Sequence, residues 1–384
     1  MHLLIAPNAF KNSLSATAAA EAIRRGVERS GLRCTTNCFP IGDGGDGTAL
    51  LLVNFFNGFI YETEAHDPIG RRIRTSIGFI DGGKTAVIEM ADISGLKLLD
   101  VRELDPLYAN SFGCGELLKT ALDRGVDKIL LAIGGSATTD GGTGILQALG
   151  VRFLDSSGNE LENLPIDLVM LDKLDLTGID KRIWNTELII LCDVENQLLG
   201  GKGAAAIFSP QKGAGPAEVP RLEKILQKLR DVSLLHTGID MGTLKHGGAA
   251  GGTAAGLHLF LKAKLMAGAD YFLELTRFKE ALRPADFLIT GEGRIDLQTL
   301  DGKAPIAAAR LAKEKGIPVF GLAGQVSMEM NSTVMNFFDV VLPIGRMPEG
   351  IKEALLHTAA NLEETAFQIG RILQLNIKQE EQNE

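Results

Sequence analysis

Cysteines, histidine pairs and aromatic residues are scarce in this sequence, and each scarcity excludes a class of site. The chain has four cysteines, Cys34, Cys38, Cys114 and Cys192, and no C-x-x-C pair. We therefore expect buried free thiols in a reducing compartment rather than disulfides. No H-x-x-x-H or H-E-x-x-H pair is present, which argues against a zinc site. Aromatic residues make up 5% of the chain, too few to suggest a base-stacking surface.

Long hydrophobic runs and an excess of basic residues are also missing. No apolar stretch reaches the roughly 18 residues of a membrane-spanning helix. The first residues, MHLLIAPNAF, lack the basic and long apolar regions of a signal peptide. We therefore expect a cytoplasmic protein with no membrane partner. The formal net charge of −9 argues against nucleic acid as a partner, because such proteins usually present a basic face.

Glycine is the residue that the chain has in excess. There are 45 glycines in 384 residues, well above the usual ~7%. Hydrophobic residues make up 45% of the chain, so a sizeable core is available and disorder is not expected. The glycines therefore indicate many tight loops in which the backbone approaches another group closely. At roughly 100–200 residues per domain, the length predicts two domains.

Strand and helix patterns alternate in the first part of the chain. The apolar HLLIAP, a helix capped by Ser15 and stopped by Gly31, the strand RCTTNCFPIG and the helical DGTALLLVNFF follow one another. This order is typical of a parallel α/β sheet. From about Gly58, apolar and polar residues alternate, and Asp81-Gly82 is a hairpin signal. The second stretch therefore predicts a mixed or antiparallel sheet.

The C-terminal strands resemble those at the N-terminus. PADFLIT, IPVFGLAG and FDVVLPIG are short buried strands separated by helical or looser segments. We therefore predict an α/β protein with a discontinuous first domain, residues 1–66 plus 280–384, and an inserted second domain, residues 67–279. The first has a parallel, Rossmann-like sheet and the second a mixed sheet.

Hydroxyl, acidic and basic residues follow almost every predicted strand. In open α/β sheets, ligands bind at the carboxyl ends of the strands, so these residues are the candidates for a site. In chain order they include Lys11, Asp43, Asp46, Ser136, Thr138, Thr139, Asp140, Asp193, Glu292, Arg294 and Asp296.

The segment GDGGDG, residues 42–47, matches the dinucleotide fingerprint G-x-G-x-x-G, with Asp67 about 20 residues further on. Asp43 and Asp46 would stand where the pyrophosphate must lie, and like charges repel there unless a cation intervenes. Two carboxylates suit Mg²⁺, which prefers one or two of them together with phosphate oxygens and water. The alternative is an acidic turn that caps a helix.

The segment IGGSATTDGG offers backbone amides before a predicted helix. Such amides are a ready phosphate site, so Gly134, Gly135, Ser136 and Thr138 are candidate phosphate-binding residues. The alternative is an ordinary strand-to-helix turn in which Thr or Asp caps the helix.

The segment GEGRID…DGK follows a strand that we expect to end at Thr290. It is not a Walker A loop, because that motif needs Gly at the position of Leu297 and Ser or Thr at that of Ala304. The guanidinium of Arg294 can form two parallel hydrogen bonds to a carboxylate or phosphoryl group. Lys303 could reach a phosphate as a point charge. Asp296, like Glu292, could act as a base or metal ligand, and a surface salt-bridge cluster is the alternative.

Together, these loops resemble one family. The blocks are APNAFKNSLSA, GDGGDGT, IGGSATTDGGTGILQALG, CDVENQLLGGKGAAAIFSPQKGA, GGAAGGTAAGL, TGEGRIDLQTLDGKAP and GLAGQV. In this order they are similar to the type 1 glycerate kinases of bacteria, up to about residue 345. Many family members carry other residues at Asn8, Ala9, Asn12 and Thr139.

The resemblance implies two α/β domains, one flavodoxin-like and one restriction-enzyme-like, with the active site in the cleft between them. It also implies ATP-dependent phosphorylation of D-glycerate to 2-phospho-D-glycerate. Other hypotheses are a kinase that forms 3-phosphoglycerate, an NAD(P)-dependent hydroxy-acid oxidoreductase and a non-catalytic nucleotide-binding regulator. The sequence does not distinguish a monomer from a homodimer.

Under the kinase hypothesis each candidate residue has an expected task. Phosphoryl transfer needs positioning, charge neutralisation and modest activation of the attacking hydroxyl. Positive groups would hold the glycerate carboxylate, aspartates would orient the hydroxyl, and the glycine-rich loop at 134–142 would hold ATP. The assignments are Arg294 or Lys11 for the carboxylate, Asp193 or Asp296 for the hydroxyl, Asp43 and Asp46 for Mg²⁺, and Lys303 for the transferring charge.

Overall fold

The computed structural model describes residues 1–295, 303–327 and 332–383. Their strands are β1 (His2–Pro7), β2 (Thr35–Cys38), β3 (Phe59–His66), β4 (Arg72–Ile80), β5 (Thr85–Glu89), β6 (Lys128–Ala132), β7 (Arg152–Leu154), β8 (Lys173–Asp175), β9 (Glu187–Cys192), β10 (Lys264–Ala267), β11 (Phe287–Ile295), β12 (Val319–Val326) and β13 (Val340–Pro343).

The helices complete the α/β pattern. They are α1 (Ala16–Arg29), α2 (Thr48–Phe55), α3 (Ala91–Ser94), α4 (Phe112–Asp123), α5 (Thr143–Ala148), α6 (Ala204–Phe208), α7 (Glu218–Thr237), α8 (Thr253–Leu261), α9 (Gly268–Leu275), α10 (Phe278–Leu282), α11 (Ala304–Lys313), α12 (Ser332–Met335) and α13 (Ile351–Asn383). In the described part of the chain, none of them is both long and apolar enough to cross a membrane.

The first compact unit, Met1–Asp43 with Ala269–Glu384, carries a parallel sheet. The strand order among its described residues is β13-β12-β11-β1-β2, and every pairing is parallel. Counted along this unit alone, that order is 2-1-3-4-5, which is the flavodoxin-like arrangement. The predicted parallel, Rossmann-like sheet is therefore confirmed. The order reverses between β1 and β11, and a ligand in such a sheet binds at that switch point.

Helix α1 shows how the local sequence builds this unit. Ser15 caps the helix, since its hydroxyl accepts a hydrogen bond from Ala18 N at 3.2 Å. The buried face includes Ala19, Ile23 and Val27, which repeat at helical spacing and enter the core of the unit. On the same face Gly26 lies against α13, because a Cβ at this position would be 2.0 Å from the carbonyl oxygen of Glu363. The two helices are thus in backbone contact.

The second unit, Gly44–Gly268, carries a mixed sheet. The described strands of this sheet run β10-β9-β6-β5-β4-β3; β5, β6, β9 and β10 are parallel, whereas β3 and β4 are antiparallel to their neighbours. Strands β7 and β8 form a separate antiparallel pair in the same unit. The predicted hairpin between β4 and β5 turns at Asp81 and Gly82, whose φ angles of 53° and 64° are both positive. The predicted mixed sheet is therefore confirmed.

The compact units do not coincide with the domain bounds expected from the sequence. The expected bounds were 1–66 plus 280–384 and 67–279, whereas the first unit gives way to the second after Asp43 and resumes at Ala269. Strand β3 pairs with β4 along its whole length, from Phe59 to His66, so it belongs to the mixed sheet. A local strand or helix pattern does not specify the sheet that an element joins, and this accounts for the difference.

We predict that Gly26→Val lowers the free energy of unfolding of the first unit by about 1–3 kcal/mol, because the added side chain forces the backbones of α1 and α13 apart. Urea denaturation measures the loss. Gly345→Val is the matched control, since a Cβ there meets no atom within 4 Å. Equal stability of the two variants would contradict the close packing of α1 on α13.

Candidate functional site

The parallel register of the second sheet brings several loops to one edge. Glu89, the last residue of β5, pairs with Ala132 of β6, and Ala132 pairs with Leu191 of β9. The residues that follow these three positions therefore leave the sheet at the same edge. They include the glycine-rich segment from Gly134 onward and Asp193, two candidates that are far apart in sequence.

Gly134 and Gly135 lie where side chains from two other loops converge. A Cβ on Gly134 would be 2.7 Å from Gly45 Cα and 3.3 Å from Asp193 Oδ2. Gly135 has a φ of 74°, and a Cβ there would be 3.5 Å and 3.6 Å from the carboxylate oxygens of Asp46. A Cβ on Gly134 would clash with Gly45, and the positive φ of Gly135 favours glycine, so both positions suit glycine. The structure thus places the carboxylates of Asp46 and Asp193 beside the glycine pair.

Ser136 and Thr138 are buried and are held by a lysine that no sequence motif singled out. Lys212 Nζ donates to Ser136 Oγ at 3.0 Å and to the carbonyl of Thr138 at 2.5 Å. Lys212 is 2% exposed. Burial lowers the pKa of Lys212 to about 8, against the opposing charges of Asp140 and Asp193. A signal did exist, because SPQKGA belongs to a block that carries the family resemblance.

Asp140 is buried and organises the beginning of α5. Its Oδ1 accepts from Gly142 N at 3.0 Å, and its Oδ2 accepts from Gly144 N at 3.2 Å and from the hydroxyl of Ser111 at 2.7 Å. That hydroxyl in turn accepts from Ile145 N. These first-turn amides of α5 are already bonded to protein groups, although the N-cap position itself is Gly142 and not Thr or Asp. By the same criterion Gly134 N, which donates to the carbonyl of Gly44, and Ala137 N, which donates to that of Ser94, are occupied, so the amide candidates are those of Gly135, Ser136, Thr138 and Thr139.

Acidic residues and one lysine surround the loop that precedes α2. Glu89 accepts hydrogen bonds from Gly47 N at 3.1 Å and from Ala49 N at 2.6 Å. Burial, helped by the charge of Asp92, raises the pKa of Glu89 to about 7, although the two backbone amides and Lys97 oppose the shift. Lys97 Nζ lies 2.6 Å from Asp92 Oδ1 and 3.3 Å from Asp46 Oδ1. Asp46 is thus oriented by an ion pair at the sheet edge.

The two expected magnesium ligands occupy different surroundings. Asp43 belongs to the first unit, and its Oδ2 accepts from Asn8 Nδ2 at 2.7 Å. Asp46 belongs to the second unit and its side chain is 44% exposed. Within the described residues no three His, Cys, Asp or Glu side chains form a metal cluster. Mg²⁺ needs only one or two carboxylates beside phosphate and water, and the exposed Asp46 fits that requirement better than Asp43.

At the edge of the first sheet, β11 is longer than the sequence indicated. We expected it to end at Thr290, yet it continues to Ile295, which pairs with Val326 of β12. Its pairing with β1 stops at Gly291. The expected end was therefore wrong, because the ladder to β12 keeps the polar residues extended. Glu292 and Arg294 lie on this projecting strand.

Further candidates surround the projecting strand. Lys303 Nζ forms an ion pair with Glu292 Oε2 at 3.3 Å. Lys11 is exposed, and its backbone lies beside Gly293, since a Cβ on Gly293 would be 3.4 Å from Lys11 N. The structure thus brings Lys11, Glu292 and Lys303 to one strand end. Asp296 lies outside the described residues.

The dinucleotide alternative lacks the required surroundings. Strand β2 lies in the first unit, whereas α2, on the other side of GDGGDG, lies in the second. The fingerprint requires both within one βαβ unit. Asp67 is 1% exposed and accepts hydrogen bonds from Arg71 N and Arg71 Nε, so it closes a turn.

Comparisons with known proteins agree on one family over nearly the whole chain. A sequence model of the glycerate kinase family matches residues 3–374. The chain is 41% identical over 377 residues to a glycerate kinase of Bacillus subtilis (strain 168), covering 98% of each protein. It is 37% identical over 358 residues to a glycerate 2-kinase of Escherichia coli (strain K12), covering 92% of this chain and 94% of that protein. The predicted resemblance is thereby confirmed.

A solved structure gives the same result. The crystal structure of a protein described as glycerate kinase 2 from Salmonella typhimurium LT2 matches with a TM-score of 0.83 and 37% identity. The match covers 98% of this chain and 99% of that one.

We predict that Glu89 makes the protein less stable as pH rises from 4.5 to 7. Its pKa is about 7 in the folded protein against 4.5 for the ordinary group, so the folded state holds the proton over this interval and the unfolded state does not. This contribution to the free energy of unfolding is at most about 3 kcal/mol. Glu89→Gln should remove that part of the pH dependence in urea denaturation. The exposed Glu62→Gln is the control, and identical pH profiles of both variants and the parent protein would contradict the prediction.

Proposed function

The chain belongs to the glycerate kinase family, and from this membership we propose that it transfers the γ-phosphoryl group of ATP to the 2-hydroxyl of D-glycerate. The family members are phosphotransferases, and the chain is accordingly an enzyme. The observation that carries the proposal is the end-to-end match, which includes a relative named glycerate 2-kinase. The product would be 2-phospho-D-glycerate.

The segment from Gly134 to Thr138 is the proposed site of the ATP phosphates. Gly134 and Gly135 let this segment pack closely against the loops that carry Asp46 and Asp193, and the positive φ of Gly135 is one that glycine favours. The buried ammonium of Lys212 donates to Ser136 from within the protein, and its positive charge would offset that of a phosphate bound to the segment. Lys303 is proposed to steady the transferring charge, a task it would take from its ion pair with Glu292.

Magnesium is proposed to bind Asp46, with Asp43 as the second candidate. Asp46 is exposed and oriented, but Lys97 lies at its carboxylate and would have to yield to the ion. When bound, Mg²⁺ neutralises the charge of phosphate oxygens during transfer.

The glycerate molecule presents one carboxylate and two hydroxyl groups. We assign the carboxylate to Arg294 or Lys11, because a guanidinium matches a carboxylate with two parallel hydrogen bonds. We assign orientation of the attacking hydroxyl to Asp193 or Asp296. Support for Asp193 is its position next to Gly134, at the edge where the proposed phosphate segment begins.

The function is tested with purified protein, ATP, Mg²⁺ and D-glycerate. We expect ADP release that depends on glycerate and on Mg²⁺, and a phosphorus NMR spectrum of 2-phospho-D-glycerate. ATP binding without glycerate-dependent ADP release would instead support a non-catalytic regulator. A product phosphorylated at the 3-hydroxyl would overturn the assigned position, and NADH formation without ATP would overturn the reaction class.

We predict that Asp193→Asn lowers kcat by at least about 10²-fold, because the amide cannot accept the proton of the attacking hydroxyl. Steady-state kinetics with ATP and D-glycerate measures the change. Glu195→Gln is the matched control on the same loop; Glu195 is exposed and ion-paired to Lys245 at 2.8 Å, so its replacement should leave kcat within about twofold. If Asp193→Asn keeps full kcat while Asp296→Asn loses it, the base is Asp296.

A further inference from the structure

Lys212 is a buried charge to which the proposed chemistry assigns no contact with substrate. It ends the short turn Pro210–Lys212 and is 2% exposed. Among the described residues its ammonium forms hydrogen bonds to a hydroxyl and a carbonyl and no ion pair to a carboxylate. The charged groups that act on it through space are Asp140 and Asp193. Burial of an ammonium is costly unless another group compensates for it.

The same turn immobilises the glycine-rich segment. Ser209 Oγ lies 3.1 Å from Thr139 Oγ1, and Lys212 holds Ser136 and Thr138. Farther along the segment, Asp140 is anchored to Ser111. These contacts leave residues 136–140 little freedom to rearrange, so their polar atoms are aimed before a ligand arrives.

The chemistry of an ammonium determines what Ser136 can do. A protonated lysine has three donors and no acceptor, so in this hydrogen bond the Ser136 oxygen must accept. The hydroxyl has a single proton, which is then available only to an acceptor other than Lys212. Ser136 follows Gly135, the residue that lies beside the Asp46 carboxylate.

We propose that Lys212 is a positioning residue that fixes Ser136 as a hydrogen-bond donor to an oxygen of the bound phosphate chain. This inference rests on the proposed kinase function, because it needs a phosphate ligand at residues 134–138. Lys212 itself stays buried behind the segment, and its positive charge adds to the attraction for the anion.

Nucleotide binding should depend on pH through Lys212. The pKa of Lys212 is lowered to about 8 by burial, so the ammonium loses its proton as pH rises through that value. A neutral amine has a lone pair and can accept the Ser136 proton, which reverses the hydrogen bond and turns the serine lone pairs toward the phosphate. Nucleotide affinity should therefore be constant below that pKa and fall above it. Asp140 and Asp193 are the charged groups that tune the transition.

The test is isothermal titration calorimetry of the full chain with a non-hydrolysable ATP analogue and Mg²⁺. Below the transition, Lys212→Met and Ser136→Ala should each weaken binding about 10- to 100-fold, since each removes a hydrogen bond that involves a charged group. The double variant should bind the nucleotide no more weakly than the single variant with the lower affinity, because both changes break the same Lys212–Ser136 hydrogen bond. Lys224→Met, an exposed lysine on α7, is the control with parental affinity.

Affinity is also measured from about one unit below to about one unit above the pKa of Lys212. The affinity of the parent protein should fall across this range, and that of Ser136→Ala should fall less, because only the loss of the Lys212 charge then remains. Additive losses in the double variant, or parallel pH profiles of the parent and Ser136→Ala, would overturn the inference. The pH series does not require Lys212→Met to fold. A parent protein that binds no nucleotide would instead contradict the proposed function.

Discussion

The parallel pairing of β5, β6 and β9 is the constraint on which the candidate chemistry of the second unit depends. Its register sets Glu89, Ala132 and Leu191 side by side. Loops that follow these positions must therefore begin at one edge, whatever their separation in sequence. The glycine pair at 134–135 then admits the carboxylates of two other loops. If one of these strands shifted its register by one residue, its own side chains would turn to the opposite face of the sheet.

Rigid support of the glycine-rich segment follows from buried polar groups on both sides. The Asp140 carboxylate accepts hydrogen bonds from Ser111 and from backbone amides at the beginning of α5. On the other side, the Lys212 ammonium donates to Ser136 and Thr138. Buried polar groups of this kind are expensive unless they are fully hydrogen-bonded. Their presence at a sheet edge indicates that the segment has a fixed geometry. A negatively charged ligand such as phosphate suits the buried ammonium of Lys212.

Local signals in the sequence were reliable for the elements of the fold. The cap at Ser15, the hairpin at Asp81 and Gly82, and both sheet types agree with the structure. Signals for the extent of strand pairing were not reliable. The end of β11 was expected at Thr290, because polar residues follow it, but the ladder to β12 carries the strand to Ile295. Lys212 did not stand out, because a lysine in a loop looks like a solvated surface residue until burial is known.

The sequence by itself determined the α/β class, the two sheet types and the family, because these depend on hydrophobic period, turn residues and the order of motifs along the chain. Only the tertiary structure decided which residues meet. Asp193 meets Gly134 through strand register, Asp46 lies beside Gly135 through packing of the loop before α2, and Lys212 reaches Ser136 through burial of a distant turn. Such contacts are set by the packing of segments far apart in the chain, and no local pattern of residues encodes them.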